Sequence, residues 1–234
     1  MEPALDAQWS GTIVKEDLAT QAYRALVHRI VTRTYAPGER ISIQSVANDF
    51  EISVTPVREA FHRLAREGLL ESRPRSGTTV AEITLRDIVE IYDIRLMIET
   101  AAADVPTEPQ TIAAMRASIA RMAALAGPHL YDDFEAYWTY SLHDAEFHRL
   151  LVQGTGNARL ATIYRELHSH TIIAPVMFGL KAIGRVEQQH EEHRTIIAAL
   201  EDGDGEQAVD AVRLHLTRTL DVLQERWLEA RHGS

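Results

Sequence analysis

Asp144 and His148 stand four residues apart, so a helix through this segment puts both on one face. His193 and His215 are separated by 22 positions, and Asp204, inside the break Gly203-Asp204-Gly205, lies eleven residues from each. If the helices on either side of that break run antiparallel, the two imidazoles stand at the same height, about 16 Å from the turn. The helix carrying Asp144 and His148 ends at Gly154, so one bundle can bring all four groups together. Three imidazoles and a carboxylate suit a divalent first-row ion, Zn²⁺ first, with Ni²⁺ or Mn²⁺ as alternatives. The competing explanation is coincidence: His143, His168, His170 and His190 show that this chain uses histidine freely. Two other roles for such a metal are an enzyme centre, in which it activates water, and a purely structural clamp. Against the enzyme, no sequence feature supplies a general base, since Glu146 and Glu192 adjoin the ligands and are expected to point off the ligand face.

A second set of residues suits nucleic acid. The stretch Ser53-Val54-Thr55-Pro56-Val57-Arg58 opens a helix with small hydroxyl residues and an arginine one turn in. The second helix of a helix–turn–helix leads with such residues into the major groove. There a guanidinium can fork onto guanine or clamp a phosphate. Arg73 and Arg75 flank the following tip, Pro74 to Gly77, which has the size to lie along a minor groove or backbone. The alternative is a structural three-helix module with scattered arginines.

These residues need elements to hold them. Leu18, Ala22, Leu26 and Ile30 recur every fourth residue, which predicts a helix over 15–34, ended by Pro37-Gly38. A short extended piece, Glu39–Ile41, precedes a helix over 43–49 that Ser42 can cap. After a turn at Glu51-Ile52, Ser53 or Thr55 caps the next helix, whose inward stripe is Val57, Ala60, Phe61, Leu64 and Ala65. Gly68 stops it, and two short strands follow, 69–73 and 78–81. From Leu85 onward the pattern is helical, with segments over 85–104, 109–126, 131–153, 157–178, 182–202 and 205–231. Pro175 is expected to kink or shorten the fourth of these. Met115 and Met122 share one side of the second and read as core. The fold class is therefore mainly α: an N-terminal winged helix–turn–helix over 13–83 and a C-terminal all-helical bundle over 84–231.

Composition narrows the functions available. The 234 residues hold 24 Lys+Arg against 34 Asp+Glu and no cysteine, which excludes disulfides, thiolate metal sites and thiol catalysis. Residues 15–80 carry ten Lys/Arg against eight Asp/Glu, whereas residues 81–234 carry fourteen against twenty-four. An acidic protein with a relatively basic first third can still bind a polyanion through that third. No apolar run approaches the length of a membrane span, and Met1 to Ser10 lacks the features of a signal peptide, so a cytoplasmic protein without membrane contact is expected.

The local text is more specific than the pattern. Ala36-Pro37-Gly38-Glu39-Arg40-Ile41, Val46-Ala47-Asn48-Asp49-Phe50, Ser53 to Ala60, Leu64-Ala65-Arg66-Glu67-Gly68-Leu69-Leu70 and Gly77-Thr78-Thr79-Val80 resemble the GntR family of winged helix–turn–helix transcription factors. The resemblance implies operator DNA as partner, with contacts at Gln44, Ser53, Thr55, Arg58, Arg75 and Gly77. Family members often carry a basic residue where this chain has Val54, which alters one base contact. Further along, Ile91 to Glu99, Asp144-Ala145-Glu146-Phe147-His148, Gly156-Asn157, Glu192-His193-Arg194 and Leu200 to Asp204 are similar to the FCD ligand domain of the FadR-like branch. Its metal-binding members place one Asp and three His at positions matching Asp144, His148, His193 and His215. The resemblance thus implies a metal-binding, ligand-responsive transcription factor, not an enzyme. Repression is the expected sense, though the sequence leaves activation open, and a two-fold operator calls for a homodimer. A divalent ion held by one Asp and three neutral His keeps a net positive charge that suits a small carboxylate effector. Arg95 has two readings, an i+4 pair with Glu99 or an inward group that holds the effector carboxylate, as the family suggests for its pocket arginines.

Overall fold

The architecture was taken from a computed structural model; it describes residues 17–73, 77–127, 130, 133–167 and 185–232. Asp17 starts helix α1 (Leu18–Val31) by accepting the backbone N–H of Thr20 at 2.7 Å. Ala22, Leu26 and Ile30 of the fourfold-spaced side of α1, with Tyr23 and Val27, are buried, and α1 packs on α3 (Val54–Arg66), whereas Leu18 at the start of the helix is half exposed. Each such Leu or Val contributes about 1.5–3 kcal/mol through burial. Between them lies α2 (Ile43–Asp49), capped by Ser42, whose hydroxyl accepts from the Ser45 N–H at 3.0 Å. Ser53 occupies the N-cap position of α3 but makes no side-chain capping bond. The turn between α2 and α3 passes through Glu51 at φ 55°, a left-handed conformation uncommon outside glycine.

The extended piece before α2 is a strand, β1 (Arg40–Ile41), which joins β2 (Leu70–Arg73) and β3 (Gly77–Val80) in an antiparallel sheet of order β1-β3-β2. The hairpin register pairs Leu70 with Val80 and Arg73 with Gly77. Gly77 sits at φ +83°, a backbone conformation that strains any residue with a Cβ, and the Arg40 guanidinium lies over it, 2.7 Å from where a Cβ would stand. Arg75, assigned above to DNA, lies outside the described residues.

The bundle begins with α4 (Leu85–Ala103), entered through a reciprocal capping box of Thr84 and Asp87. It continues with α5 (Pro109–Leu125), α6 (Phe134–Gly154), α7 (Ala158–Glu166), α8 (Val186–Asp202) and α9 (Gly205–His232). The helix expected over 157–178 ends at Glu166, with Leu167 as its C-cap, and Pro175, His168 and His170 lie outside the described residues. Helix α8 ends on Gly203 at φ 68°, the left-handed terminator that lets α9 fold back against it. Helix α9 also packs on α4, and α6 on α4 and α5. Phe147, Leu151, Ile196, Leu216, Met115 and Met122 fill the interior, so the two methionines are core residues as expected.

Candidate metal centre and effector cavity

Each helix of the bundle interior contributes one part of the site. Helix α6 brings Asp144 and His148 on one face, α8 brings His193, and α9 brings His215 across the Gly203 turn. The three histidines are almost wholly enclosed, with His193 at 0%, His148 at 1% and His215 at 1% exposure. One ring nitrogen from each lies within 4.8 Å of the others. The ring centroids of His193 and His215 are 4.6 Å apart, so the equal-height argument holds. Asp144 adds a carboxylate oxygen 3.5 Å from His193 Nε2, and the Gln189 amide donates to that same oxygen at 2.8 Å.

Hydrogen bonding fixes which nitrogens face inward. His148 Nδ1 meets Glu99 Oε2 at 2.6 Å, and His215 Nδ1 meets Glu192 Oε2 at 3.0 Å. An ionised carboxylate only accepts, so both Nδ1 atoms must carry the proton. Their Nε2 atoms are then lone pairs, and they lie 3.2 Å apart. Two lone pairs at that distance repel; a cation, or a shared proton, removes the repulsion. Neither ring nitrogen of His193 has a hydrogen-bond partner among the described residues, although both are buried. Buried polar atoms left in this way cost about 1–3 kcal/mol each, and their arrangement fits a divalent ion of the kind three imidazoles and a carboxylate attract.

The electrostatics favour the same state. Burial, reinforced by the charges of His215 and His148, pushes His193 well below its ordinary 6.5. Burial also lowers His215, against the opposing hydrogen bond from Glu192. Both rings are therefore neutral at pH 7, the form that ligates. Glu99 is fully buried, which by itself would raise its pKa; Arg95 and His148 outweigh that and hold it below its ordinary 4.5.

A cavity opens beside the cluster, lined by Tyr92, Arg95, Tyr140, Asp144, Arg185 and His215 among others, with Val222 and Leu223 as apolar wall. Arg95 makes its i+4 pair and also faces the cavity. Its Nε donates to Glu99 Oε1 at 2.8 Å along α4, and the same buried side chain, 3% exposed, lines the cavity. Burial opposes its charge, but Glu99 together with Tyr164 and Tyr92 holds its pKa well above the ordinary arginine value. The Tyr92 hydroxyl, pushed up to about 12 by burial, stays protonated.

Glu99 and Glu192 were not legible as parts of the site. Glu192 does point away from the face of α8 that carries His193, yet it reaches His215 on the neighbouring helix. Nothing local signals such a contact. Glu146 instead pairs with Arg149 on its own helix. His190 is a satisfied core histidine, 3.2 Å from the Tyr140 hydroxyl. In the N-terminal part, Gln44, Ser53, Thr55 and Arg58 are all exposed. Gln44 donates to Asn48 at 3.0 Å within α2. Arg40, whose guanidinium covers Gly77, is an exposed cation beside them that sequence reasoning did not single out.

Known proteins share both parts. Residues 18–80 match the gntR family of bacterial regulatory proteins, and residues 90–218 match the FCD domain. The HTH-type transcriptional repressor RspR of Escherichia coli (strain K12) is 32% identical over 209 residues, spanning 88% of this chain and 86% of RspR. The repressor GlaR of the same strain is 24% identical over 216 residues, 87% of this chain and 94% of GlaR. Among solved structures, E. coli McbR/YncC superposes with a TM-score of 0.68 at 21% identity, covering 91% of this chain and 100% of that one, which shows a common fold. These matches replace the enzyme alternative with gene regulation: the chain is a transcriptional regulator of the GntR family, with an FCD domain as its C-terminal part.

Proposed function

We propose that the protein is a homodimeric repressor whose hold on its operator is set by a small carboxylate bound beside a divalent metal ion. In this reading residues 13–83 read DNA and residues 84–231 sense the acid. Asp144, His148, His193 and His215 would hold the metal, Zn²⁺ first, and a divalent cation there supplies a positive docking point for a carboxylate. The observation that carries the reading is His193, whose two buried ring nitrogens have no hydrogen-bond partner among the described residues and stand beside the opposed Nε2 atoms of His148 and His215.

Access argues against a metal that only clamps the helices. His215 belongs to the cluster and also lines the cavity, and Asp144, 3.5 Å from His193 Nε2, lines it too, so an acid entering it meets groups of the site. Arg95 orients that acid by charge and by paired N–H donors. Tyr92 offers a proton that stays in place, while Val222 and Leu223 exclude water from the far wall. On the DNA side, Ser53, Thr55 and Arg58 lead α3 into the major groove, Gln44 contacts from α2, and Arg75 and Gly77 bring the wing to the backbone. One recognition helix covers a few base pairs, so two copies on a two-fold operator are required for a specific site. Names of relatives that are repressors, RspR and GlaR, support the same sense of regulation.

Elemental analysis tests the site directly. Wild-type protein should carry one divalent ion per chain, and His193→Ala and His215→Ala should carry none. Full metal in both variants would discard the ligand set. Citrate, as a probe acid, should weaken operator binding by the metal-loaded protein, typically ~5–150-fold for such coupling. An operator affinity unmoved by saturating citrate and other small carboxylates would end the effector reading.

A further inference from the structure

Two glutamates sit behind the histidine cluster, and they divide their oxygens in the same way. Glu99 Oε1 takes the Arg95 Nε–H at 2.8 Å and the Tyr164 O–H at 2.6 Å, while Oε2 takes the His148 Nδ1–H at 2.6 Å. Glu192 Oε1 takes N–H groups of Arg185 at 2.8 Å and Arg218 at 3.1 Å, while Oε2 takes the His215 Nδ1–H at 3.0 Å. In each case one oxygen is given to an arginine that lines the cavity and the other to a histidine of the cluster. We infer that Glu99 and Glu192 are positioning residues of two relays, Arg95–Glu99–His148 and Arg185–Glu192–His215, that fix the metal-facing lone pairs and tie them to the cavity wall. The inference rests on the metal reading above and adds to it the groups that make the histidines competent.

The physical requirement is a carboxylate, not merely a polar side chain of that shape. With four acceptor lone-pair sites and no proton, each glutamate can take arginine and imidazole donors together. A glutamine keeps one acceptor oxygen and presents an NH₂ on the other side, so one of the two partners would meet donor against donor. His148 can escape that clash by moving its proton from Nδ1 to Nε2. An N–H then points into the cluster where a lone pair is needed. The arginine half keeps the glutamate ionised although Glu99 is buried, and sets the orientation of the guanidinium that faces the cavity. All three nitrogens of Arg185 are engaged, by Gln188, by the Arg218 carbonyl and by Glu192, so Arg185 serves to hold Glu192.

The test compares wild-type protein with Glu99→Gln and Glu192→Gln. Nitrogen-15 histidine spectra of the metal-free proteins read the tautomers without any ligand. Wild-type His148 and His215 should both be Nδ1–H forms. Glu99→Gln should move His148 toward the Nε2–H form and leave His215 unchanged; Glu192→Gln should do the reverse. A glutamate that only filled space would move neither. Zn²⁺ affinity, by competition with a chromophoric chelator, should fall roughly 10–100-fold in each variant, the usual effect of losing such a partner. Circular dichroism of the metal-free variants checks that each is folded. Glu192 lies nearer the surface, so Glu192→Gln carries the test should Glu99→Gln not fold. Unchanged tautomers, or wild-type Zn²⁺ affinity in a folded variant, would overturn the relays while leaving the metal reading intact. Wild-type protein that takes up no Zn²⁺ overturns the metal reading, and the tautomer spectra still decide the relays.

Discussion

The exposed start of α3, proposed to read DNA, and the histidine cluster in the bundle solve opposite problems. Ser53, Thr55 and Arg58 are exposed, lie within six consecutive residues, and make few bonds to the rest of the chain. Their work is done on a partner, so the fold has only to present them. His148, His193 and His215 come from three helices, are buried, and are held by ring contacts and by carboxylates from α4 and α8. Their work depends on one another. A change in the first region should therefore alter binding without altering stability, and a change in the second should alter both.

The sharpest way to break that contrast is to remove the packing under the cluster. Phe147 is fully buried, with its ring 4.2 Å from that of His193. Phe147→Ala should destabilise the protein by about 3–5 kcal/mol, measured by urea denaturation, and should lower metal content. A fully stable variant with full metal would show that the cluster does not depend on its packing.

Metal removal is the next largest effect. An ion that binds only the folded arrangement at a free concentration of about 100 times its Kd adds about 2.7 kcal/mol. Chelation should lower the thermal midpoint of wild-type protein, and should leave that of His193→Ala where it already is. Equal shifts in both would place the stabilising ion elsewhere.

Arg58→Ala sharpens the other side. It should cost roughly 1–3 kcal/mol of affinity at the best operator if it reads a base edge, with no change in the unfolding midpoint. Binding of the wild type should fall steeply with salt, because phosphate contacts release counterions. Gel shifts with equal affinity for every sequence would remove the assignment of α3 as the reading helix.

Proton linkage gives the smallest effect. In the metal-free protein His193 and His215 sit below their ordinary 6.5, so the unfolded chain binds more protons as pH falls from that value. Stability should then be full above about pH 7 and decline below about 6.5, by up to about 1.4 kcal/mol per pH unit for each group. Glu99, held below its ordinary 4.5, adds loss in the same direction only in more acid solution. Denaturation midpoints that do not move between pH 7 and 5.5 would show that the two rings are not buried neutral.

What the amino-acid order determined by itself is whatever depends on near neighbours. The fourfold apolar spacing of α1, the cap at Ser42, the stop at Gly68 and the left-handed turn at Gly203 each follow from local sterics and hydrogen bonding. The same holds for Ser53, Thr55 and Arg58, the residues proposed to read DNA, which lie within six positions of one another. The bundle site was half legible: Asp144 and His148 share a helix face, and His193 and His215 are equidistant from a turn, so regular helix geometry brings them level. The structure alone decided the rest. Glu192 neighbours His193 in the chain yet serves His215, and Glu99, 49 residues before His148, donates no local pattern at all. Tyr164 reaches Glu99 across 65 residues. A buried hydrogen bond of this kind depends on the rotation and spacing of whole helices, which are set by the packing of Phe147, Ile196 and Leu216 rather than by any residue near the bond.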